Sequence, residues 1–230
     1  MLTIVPTPIG NLGDMGPRAL EALKKASIIY CEDTRRTRIL TSYFGISAPL
    51  KRYDEHNPKV IRQMLDELKG GKNIALVSDG GLPGISDPGH KIVALARKEN
   101  IEALAIPGPS AVVAALAGSG LPADSFIFLG FLPRAPGKRR RILETFSTLQ
   151  RTIVLYESPF RVKNLMQELF EVFSSKAQCA VAREISKIHE EWFCGNLEEV
   201  KNKIDAKEPI LGEFVVMIHP KGDLFNEPES

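Results

Sequence analysis

Four short stretches of this chain combine glycine, proline and polar side chains in a way suited to holding a small ligand against the backbone. They are Pro6-Thr7-Pro8-Ile9-Gly10-Asn11-Leu12-Gly13-Asp14, Ser78-Asp79-Gly80-Gly81-Leu82-Pro83-Gly84-Ile85-Ser86-Asp87-Pro88-Gly89, Ile106-Pro107-Gly108-Pro109-Ser110-Ala111 and Tyr156-Glu157-Ser158-Pro159-Phe160-Arg161. Proline stiffens a turn, and glycine lets a ligand approach the main chain where a Cβ would block it. The second stretch, with four glycines, two prolines and two carboxylates, is far longer than a tight strand-to-helix connection needs. None of the four is G-x-x-x-x-G-K-[ST] or G-x-G-x-x-G, which argues against a P-loop nucleotide site and against a dinucleotide site. Another adenosine-containing ligand stays open. Glycine turns also serve purely structural ends in any α/β protein, so the weight lies on their conjunction.

The elements that would position these turns follow from periodicity. Short β-branched runs at 2–5, 27–31, 50–53, 73–77 and 102–106 read as strands, separated by helical patterns near 17–25, 35–44, 58–70 and 89–99. This βαβ succession predicts a mainly parallel sheet, whose ligands bind beyond the carboxyl ends of the strands. Pro17 falls at a helix start, and Gly45 and Gly70-Gly71 fall where helices stop. After a helix around 110–117, the run Gly118-Ser119-Gly120-Leu121-Pro122-Ala123-Asp124 marks the expected boundary, giving an N-terminal α/β domain over 1–118 and a C-terminal α/β domain over 119–220. The second has strands expected at 126–131, 152–156, 178–183, 190–194 and 213–218 and helices near 138–147, 160–173 and 196–204. Lys187-Ile188-His189 is too short for a crossover, so a hairpin and a mixed sheet are expected there. Residues 221–230 read as a polar tail.

Composition bounds the partners. The 230 residues are 43% hydrophobic and 25% charged, with 18 glycines and 16 prolines, an ordinary globular balance that excludes disorder, collagen and coiled coil. No apolar run approaches the length of a membrane span, and the start, broken by Pro6, reads as a buried strand and not as a signal peptide. Three widely separated cysteines, Cys31, Cys179 and Cys194, form neither a zinc pattern nor a disulfide framework, and suit a reducing, cytoplasmic setting. The histidines His56, His90, His189 and His219 have no metal-ligand spacing, so no metal is expected. With a net charge of only +2, a nucleic-acid footprint has to be local. Two places qualify: Arg35, Arg36 and Arg38, and the five cations Arg134, Lys138, Arg139, Arg140 and Arg141. Their ordinary alternative is a solvated helix start.

Taken together, Val5-Pro6-Thr7-Pro8-Ile9-Gly10-Asn11-Leu12, Glu32-Asp33-Thr34-Arg35, the long stretch from Ser78 to Gly89, Pro107-Gly108-Pro109-Ser110-Ala111 and Tyr156-Glu157-Ser158-Pro159 resemble the tetrapyrrole methylase superfamily. Within it they resemble the branch that methylates the ribose 2′-oxygen of a decoding-centre cytidine in small-subunit ribosomal RNA. The resemblance runs from Leu2 to about His219. It implies two α/β lobes, S-adenosylmethionine in the cleft between them, a homodimer, and small-subunit ribosomal RNA or the assembled subunit as partner. It implies cofactor contacts at Ile9, Gly80, Gly81, Leu82, Ile85, Ser110, Ala111, Glu157, Ile185 and Glu213. The tetrapyrrole enzymes usually carry an aspartate at the position of Leu82 and a Gly-x-Gly-Pro-Gly loop where this chain has Thr7-Pro8-Ile9-Gly10, which weakens a tetrapyrrole as substrate.

A ribose hydroxyl is weakly acidic, so a positioned base, or a cation that favours the alkoxide, would assist its methylation. Lys187 and Glu184, in Arg183-Glu184-Ile185-Ser186-Lys187 after an expected strand, are the candidates. A surface lysine at a strand end is the plainer reading. Asp33 and Asp79 are rival carboxylates, although an aspartate after a strand is often a helix cap. Phosphate contacts from the two basic clusters would hold RNA, with Tyr53, His56, Phe131 and Phe160 as stacking faces or, by default, core aromatics. Two other functions fit the same residues: methylation of a tetrapyrrole or other small molecule, and a non-catalytic RNA-binding assembly factor.

Overall fold

A computed structural model describes residues 1–222; the polar tail expected from 221 lies almost wholly outside them. The chain divides into two units, Met1–Ser110 and Ala111–Ser230.

The first unit alternates β1 (Leu2–Ile4), α1 (Pro17–Lys25), β2 (Ile28–Cys31), α2 (Thr34–Tyr43), β3 (Leu50–Arg52), α3 (Pro58–Lys69), β4 (Ile74–Val77), α4 (His90–Lys98) and β5 (Ala103–Ala105). All five strands are parallel, in the order β3-β2-β4-β1-β5, as the βαβ pattern predicts. Proline at the first position starts α1 and α3, while Asp33 and Asn57 cap α2 and α3 by accepting from Arg35 N and Lys59 N. Strand alternation then sorts the core. Leu2, Ile4, Tyr30, Ile74 and Leu76 pack on Met64 and Leu68 of α3 and on Ile92 and Ala96 of α4. Val5, Ile29, Cys31, Ala75 and Val77 pack on Ala19 and Leu23 of α1 and Leu40 of α2. The neighbours β1 and β4 therefore send the chain to opposite faces of the sheet. That divergence is the switch point at which open parallel sheets bind ligands.

The second unit holds α5 (Ala111–Ser119), β6 (Phe126–Phe131), α6 (Pro136–Ser147), β7 (Thr152–Glu157), α7 (Val162–Val172), β8 (Ala177–Arg183), β9 (Glu191–Asn196), α8 (Leu197–Asp205) and β10 (Phe214–Gly222). Its sheet runs β6-β7-β10-β8-β9, with β6 and β7 parallel and β10 antiparallel to β7 and β8. The expected hairpin is present: Arg183 pairs with Glu191 across the 184–190 turn. Helices α6, α7 and α8 cover one face, burying Leu143, Leu165, Leu169, Val200 and Ile204 against Ile153, Leu155, Val216 and Ile218.

The division falls before α5 and not after it, as the small-residue run at 118–124 had suggested. Val112, Ala115 and Leu116 of α5 pack on Val154, Ala180, Ala182, Val215 and Met217. The helix is apolar almost all round, so its own pattern names no core; it goes to the sheet face that the other helices leave uncovered. Gly118 permits the contact, because an added Cβ would stand 2.7 Å from Trp192 Cη2. No helix among the described residues is long and apolar enough to cross a membrane.

Candidate functional site

In the first unit, three of the four turns converge beyond the carboxyl ends of β1, β4 and β5. Thr7 and Gly81 form an isolated antiparallel bridge: Thr7 N donates to Gly81 O and Gly81 N to Thr7 O, both at 2.9 Å. Thr7 Oγ1 also donates to Ser78 O at 3.1 Å. Gly81 adopts φ 88°, a left-handed conformation that glycine takes without a steric cost. A Cβ there would lie 3.6 Å from Ile9 Cγ2 and 3.8 Å from Pro109 O, and one at Gly80 would lie 3.5 Å from Pro8 O. The turns after β1, β4 and β5 are thus in van der Waals reach around two residues that contribute backbone alone. Ile9 and Leu82 are half-buried and Ile85 is exposed, and Leu82 packs partly on the α3–α4 core. A cradle of bare backbone and aliphatic side chains fits an adenosine-containing cofactor, which presents flat apolar faces and a few hydrogen-bonding edges. Ser110 ends this unit.

Glu55 buttresses the long turn and was not singled out by sequence reasoning. Its buried carboxylate accepts from Gly89 N at 2.7 Å and lies 3.1 Å from His90 Nδ1, while its carbonyl accepts from Lys91 Nζ at 3.3 Å. The only sequence signal was its place in Tyr53-Asp54-Glu55-His56, and there it is the histidine that draws the eye. Tyr53, 2% exposed, is core and offers no stacking face. Burial, reinforced by the Glu32 charge, pushes the Asp87 carboxyl up to about 6. Asp33 is a cap, paired with Arg35 at 2.8 Å, which holds its carboxyl well below the usual range; Asp79 takes Arg36 at 3.4 Å and the Asp33 amide at 3.3 Å. The rival carboxylates thus have structural employment. Among the described residues no group of histidine, cysteine and carboxylate side chains is placed to hold a metal ion.

In the second unit, the turn after β8 brings Lys187, Glu184 and Glu213 together. Lys187 Nζ lies 2.8 Å from Glu184 Oε1 and 2.8 Å from Glu213 Oε2. Glu213 N donates to Glu184 Oε1 and Glu184 N to Glu213 O, each at 2.9 Å. Glu184 and Ser186 sit at φ 52° and 66°, and Gly212 at φ 99° has no room for a Cβ, which would stand 2.5 Å from Glu184 Cγ. Burial pulls the Lys187 ammonium down, but its two carboxylate partners outweigh that and raise its pKa. Burial likewise pushes Glu184 up, and Lys187 with the Glu213 amide outweighs it and lowers the carboxyl. The pair is therefore an ammonium and a carboxylate at neutral pH. It can donate and polarise, and neither member is poised to take a proton.

The remaining positions of the second unit differ in what they offer. Ala111 opens α5, and Ile185 packs partly on the α5 side of the sheet. The Glu157 carboxylate is buried and fully used: it accepts from Ser158 N at 2.8 Å and from Arg161 Nη2 at 2.9 Å. A ligand at that turn meets backbone, not this side chain. Of the five cations at 134–141, Arg139 is 8% exposed and makes a two-pronged pair with Glu168, while Arg140 bonds Glu144 at 2.8 Å and lies 3.4 Å from Glu171. Helical spacing turns these two toward α7 and along α6, leaving Arg134, Lys138 and Arg141 exposed to solvent. Arg35, Arg36 and Arg38 are exposed on α2.

The model of the tetrapyrrole (corrin/porphyrin) methylases matches residues 1–201. A protein of Halalkalibacterium halodurans named ribosomal RNA small subunit methyltransferase I is 43% identical over 231 residues, covering 100% of this chain and 78% of the relative. The protein of the same name from Thermotoga maritima is 43% identical over 221 residues, 96% of this chain and 98% of the relative. A solved structure of uroporphyrin-III C-methyl transferase from Thermus thermophilus, complexed with S-adenyl homocysteine, matches the fold with a TM-score of 0.62 at 18% identity, covering 94% of this chain and 96% of that one. On the family model and the near full-length relatives, the chain belongs to the tetrapyrrole methylase family and, within it, to the group of ribosomal RNA small subunit methyltransferase I.

Proposed function

We propose that this chain is an S-adenosylmethionine-dependent methyltransferase acting on small-subunit ribosomal RNA, and that the acceptor is the ribose 2′-oxygen of a cytidine in the decoding region. The observation that carries the reading is 43% identity along the whole chain to a protein of that name. The backbone cradle at Gly80 and Gly81, built by the paired turns, supports the cofactor half of it.

When bound, the cofactor supplies an electrophilic methyl group on a sulfonium, so that the protein has mainly to align, desolvate and polarise. Ile9, Leu82 and Ile85 present apolar surface around the glycine backbone, with Ser110 at the third turn. In the second unit Ala111, Ile185 and the backbone at Glu157 and Glu213 are the proposed cofactor contacts. Lys187 is the proposed catalytic cation: two of its three N–H donors are held by Glu184 and Glu213, and the third is available to the hydroxyl oxygen, where the positive charge lowers the cost of the developing alkoxide. The hydroxyl proton passes to solvent water as the oxygen bonds the methyl carbon, and the electron pair of the broken carbon–sulfur bond stays on sulfur. Glu184 positions the ammonium. Arg35, Arg36 and Arg38, with Arg134, Lys138 and Arg141, supply phosphate contacts. A homodimer and a cytoplasmic setting belong to this reading; the buried free thiols of Cys31 and Cys179 suit a reducing compartment.

The test is methyl transfer from labelled S-adenosylmethionine to small ribosomal subunits, naked ribosomal RNA and a tetrapyrrole precursor in parallel. Label in alkali-resistant 2′-O-methyl nucleotides of the subunit RNA is expected. Label in the tetrapyrrole alone replaces the substrate, and RNA binding with no cofactor turnover replaces the enzyme by an assembly factor.

A further inference from the structure

Two loops of the second unit carry a feature that the methyl-transfer chemistry does not use. Strands β6 and β7 are parallel neighbours, with Phe131 paired to Tyr156, so the loops that follow them leave the same end of the sheet. Two arginines, Arg139 buried and Arg161 half-buried, stitch these loops together. Arg161 Nη2 donates to Leu132 O at 3.0 Å and to Glu157 Oε2 at 2.9 Å, and Arg139 Nη1 donates to Pro133 O and Arg134 O, each at 3.3 Å, while Glu168 holds its other nitrogens.

On these braced loops two phenylalanines face solvent: Phe160 is 90% exposed and Phe131 60%. Phe131 is supported from behind, its ring 5.6 Å from Tyr156, which in turn meets Phe128 edge-on at 5.0 Å. The charge around them is positive. Arg134 and Lys138 are exposed just beyond Phe131, no carboxylate occurs between 129 and 143, and Glu157 and Glu168 are spent on arginines. Aromatic faces carried on braced loops and flanked by exposed cations are what an unpaired nucleic-acid strand needs: a π-face for each splayed base and a charge for each phosphate. An apolar protein partner would have no use for the flanking cations.

We propose that the loops after β6 and β7 form a stacking platform for unpaired RNA bases, with Phe160 and Phe131 as the stacking faces and Arg134 and Lys138 on the neighbouring phosphates. This deepens, and rests on, the reading of the chain as a ribosomal RNA methyltransferase. It makes the substrate a segment whose bases are extruded and not a duplex stem.

The test compares the full chain with F160A, F131A, F160W and R134A. Affinity for a labelled oligouridine of about 12 nucleotides and for a duplex of equal length is measured alongside oligomeric state and the kinetics of methyl transfer to small subunits. Each alanine variant is expected to bind the single strand roughly tenfold more weakly, with duplex affinity unchanged and F160W close to the parent. In methyl transfer the loss is expected in KM and not in kcat. R134A is expected to weaken binding less and to flatten its salt dependence. Unchanged single-strand affinity and KM in both alanine variants overturn the platform and leave the proposed function standing. A parent protein that binds the single strand through Phe160 yet transfers no methyl group keeps the platform and removes the proposed function. A change of oligomeric state in F160A at constant RNA affinity overturns the platform in favour of a contact between copies of the chain.

Discussion

Lys187 reaches Glu184 across a single turn, Nζ to Oε1 2.8 Å, and Glu184 meets it from a left-handed backbone at φ 52°. The contact is thus held by main-chain geometry as well as by charge. Lys187→Met removes the cation while keeping much of the stem, and is expected to lower kcat for methyl transfer about a hundredfold with cofactor affinity little changed. Lys187→Arg is expected to recover part of that rate. Single-turnover measurement separates the two steps.

The same pair fixes a pH signature. Glu184 is lowered in the fold, so its contribution to stability is present above the unfolded carboxylate value and is lost as pH falls through the lower folded one. Lys187 is raised, so its contribution is present below the unfolded lysine value and is lost as pH rises through the higher folded one. Across the neutral range neither group titrates. The expected profile of kcat is flat between about pH 6 and 9 as far as this pair is concerned; an inflection near 7 that disappears in Lys187→Met would show the lysine acting as a base.

Asp87 behaves in the opposite sense. Burial raises its carboxyl to about 6, so the fold favours the protonated form, and stability falls as pH rises from the unfolded value through 6. Asp87→Asn is expected to stabilise the protein at pH 7.5 by about 1 kcal/mol, after allowing for solvent screening at a half-exposed site, and to change little at pH 4. Thermal denaturation at the two pH values reads the difference.

The arginines of α6 are expected to separate into two kinds. Arg139→Ala strands Glu168 in a nearly closed site and is expected to destabilise by about 2 kcal/mol. Arg141→Ala removes an exposed side chain, with stability unchanged within about 0.5 kcal/mol but RNA affinity reduced. Urea unfolding and RNA binding, measured on the same two proteins, distinguish folding arginines from binding ones.

Gly81→Leu places a branched side chain at φ 88°, at a cost of about 1–2 kcal/mol, and fills the space bounded by Ile9 and Pro109. The expected result is a folded protein with methyl transfer reduced at least tenfold and a raised KM for the cofactor. Full activity would remove the cofactor from this cradle.

How much of this was legible in the sequence depended on the kind of pattern. The parallel sheet and the hairpin at Lys187-Ile188-His189 followed from periodicity and loop length, because alternation and crossover length are local properties. The allegiance of α5 was not legible, since Ala111–Ser119 carries no polar stripe to say which core it joins. The basic run from Arg134 to Arg141 read as one feature, and only the helix geometry divides it, because residues one position apart on a helix face different neighbours. Glu55 escaped notice for a related reason: its partners Gly89 and His90 lie 34 and 35 positions along the chain, and nothing local marks a carboxylate that will be buried under a loop.

The Thr7–Gly81 bridge has a consequence for motion. Both amides lie in connections, where exchange with solvent is usually fast, yet each is locked to the other strand's carbonyl and buried. Opening either requires breaking both bonds and lifting the turn from β1 and β4 together, a sub-global event and not local fraying. Among the described residues, the backbone amides of 82–88 have no comparable tie apart from the Ile85 N to Leu82 O turn at 3.2 Å, and the segment is otherwise held by the side-chain hydrogen bond between Asp87 and Ser78. In a hydrogen-exchange experiment, the long turn should therefore split in two: Gly81 protected as if it were core, and the segment that follows it exchanging within the dead time, which gives the proposed cofactor cradle a fixed floor and a movable rim.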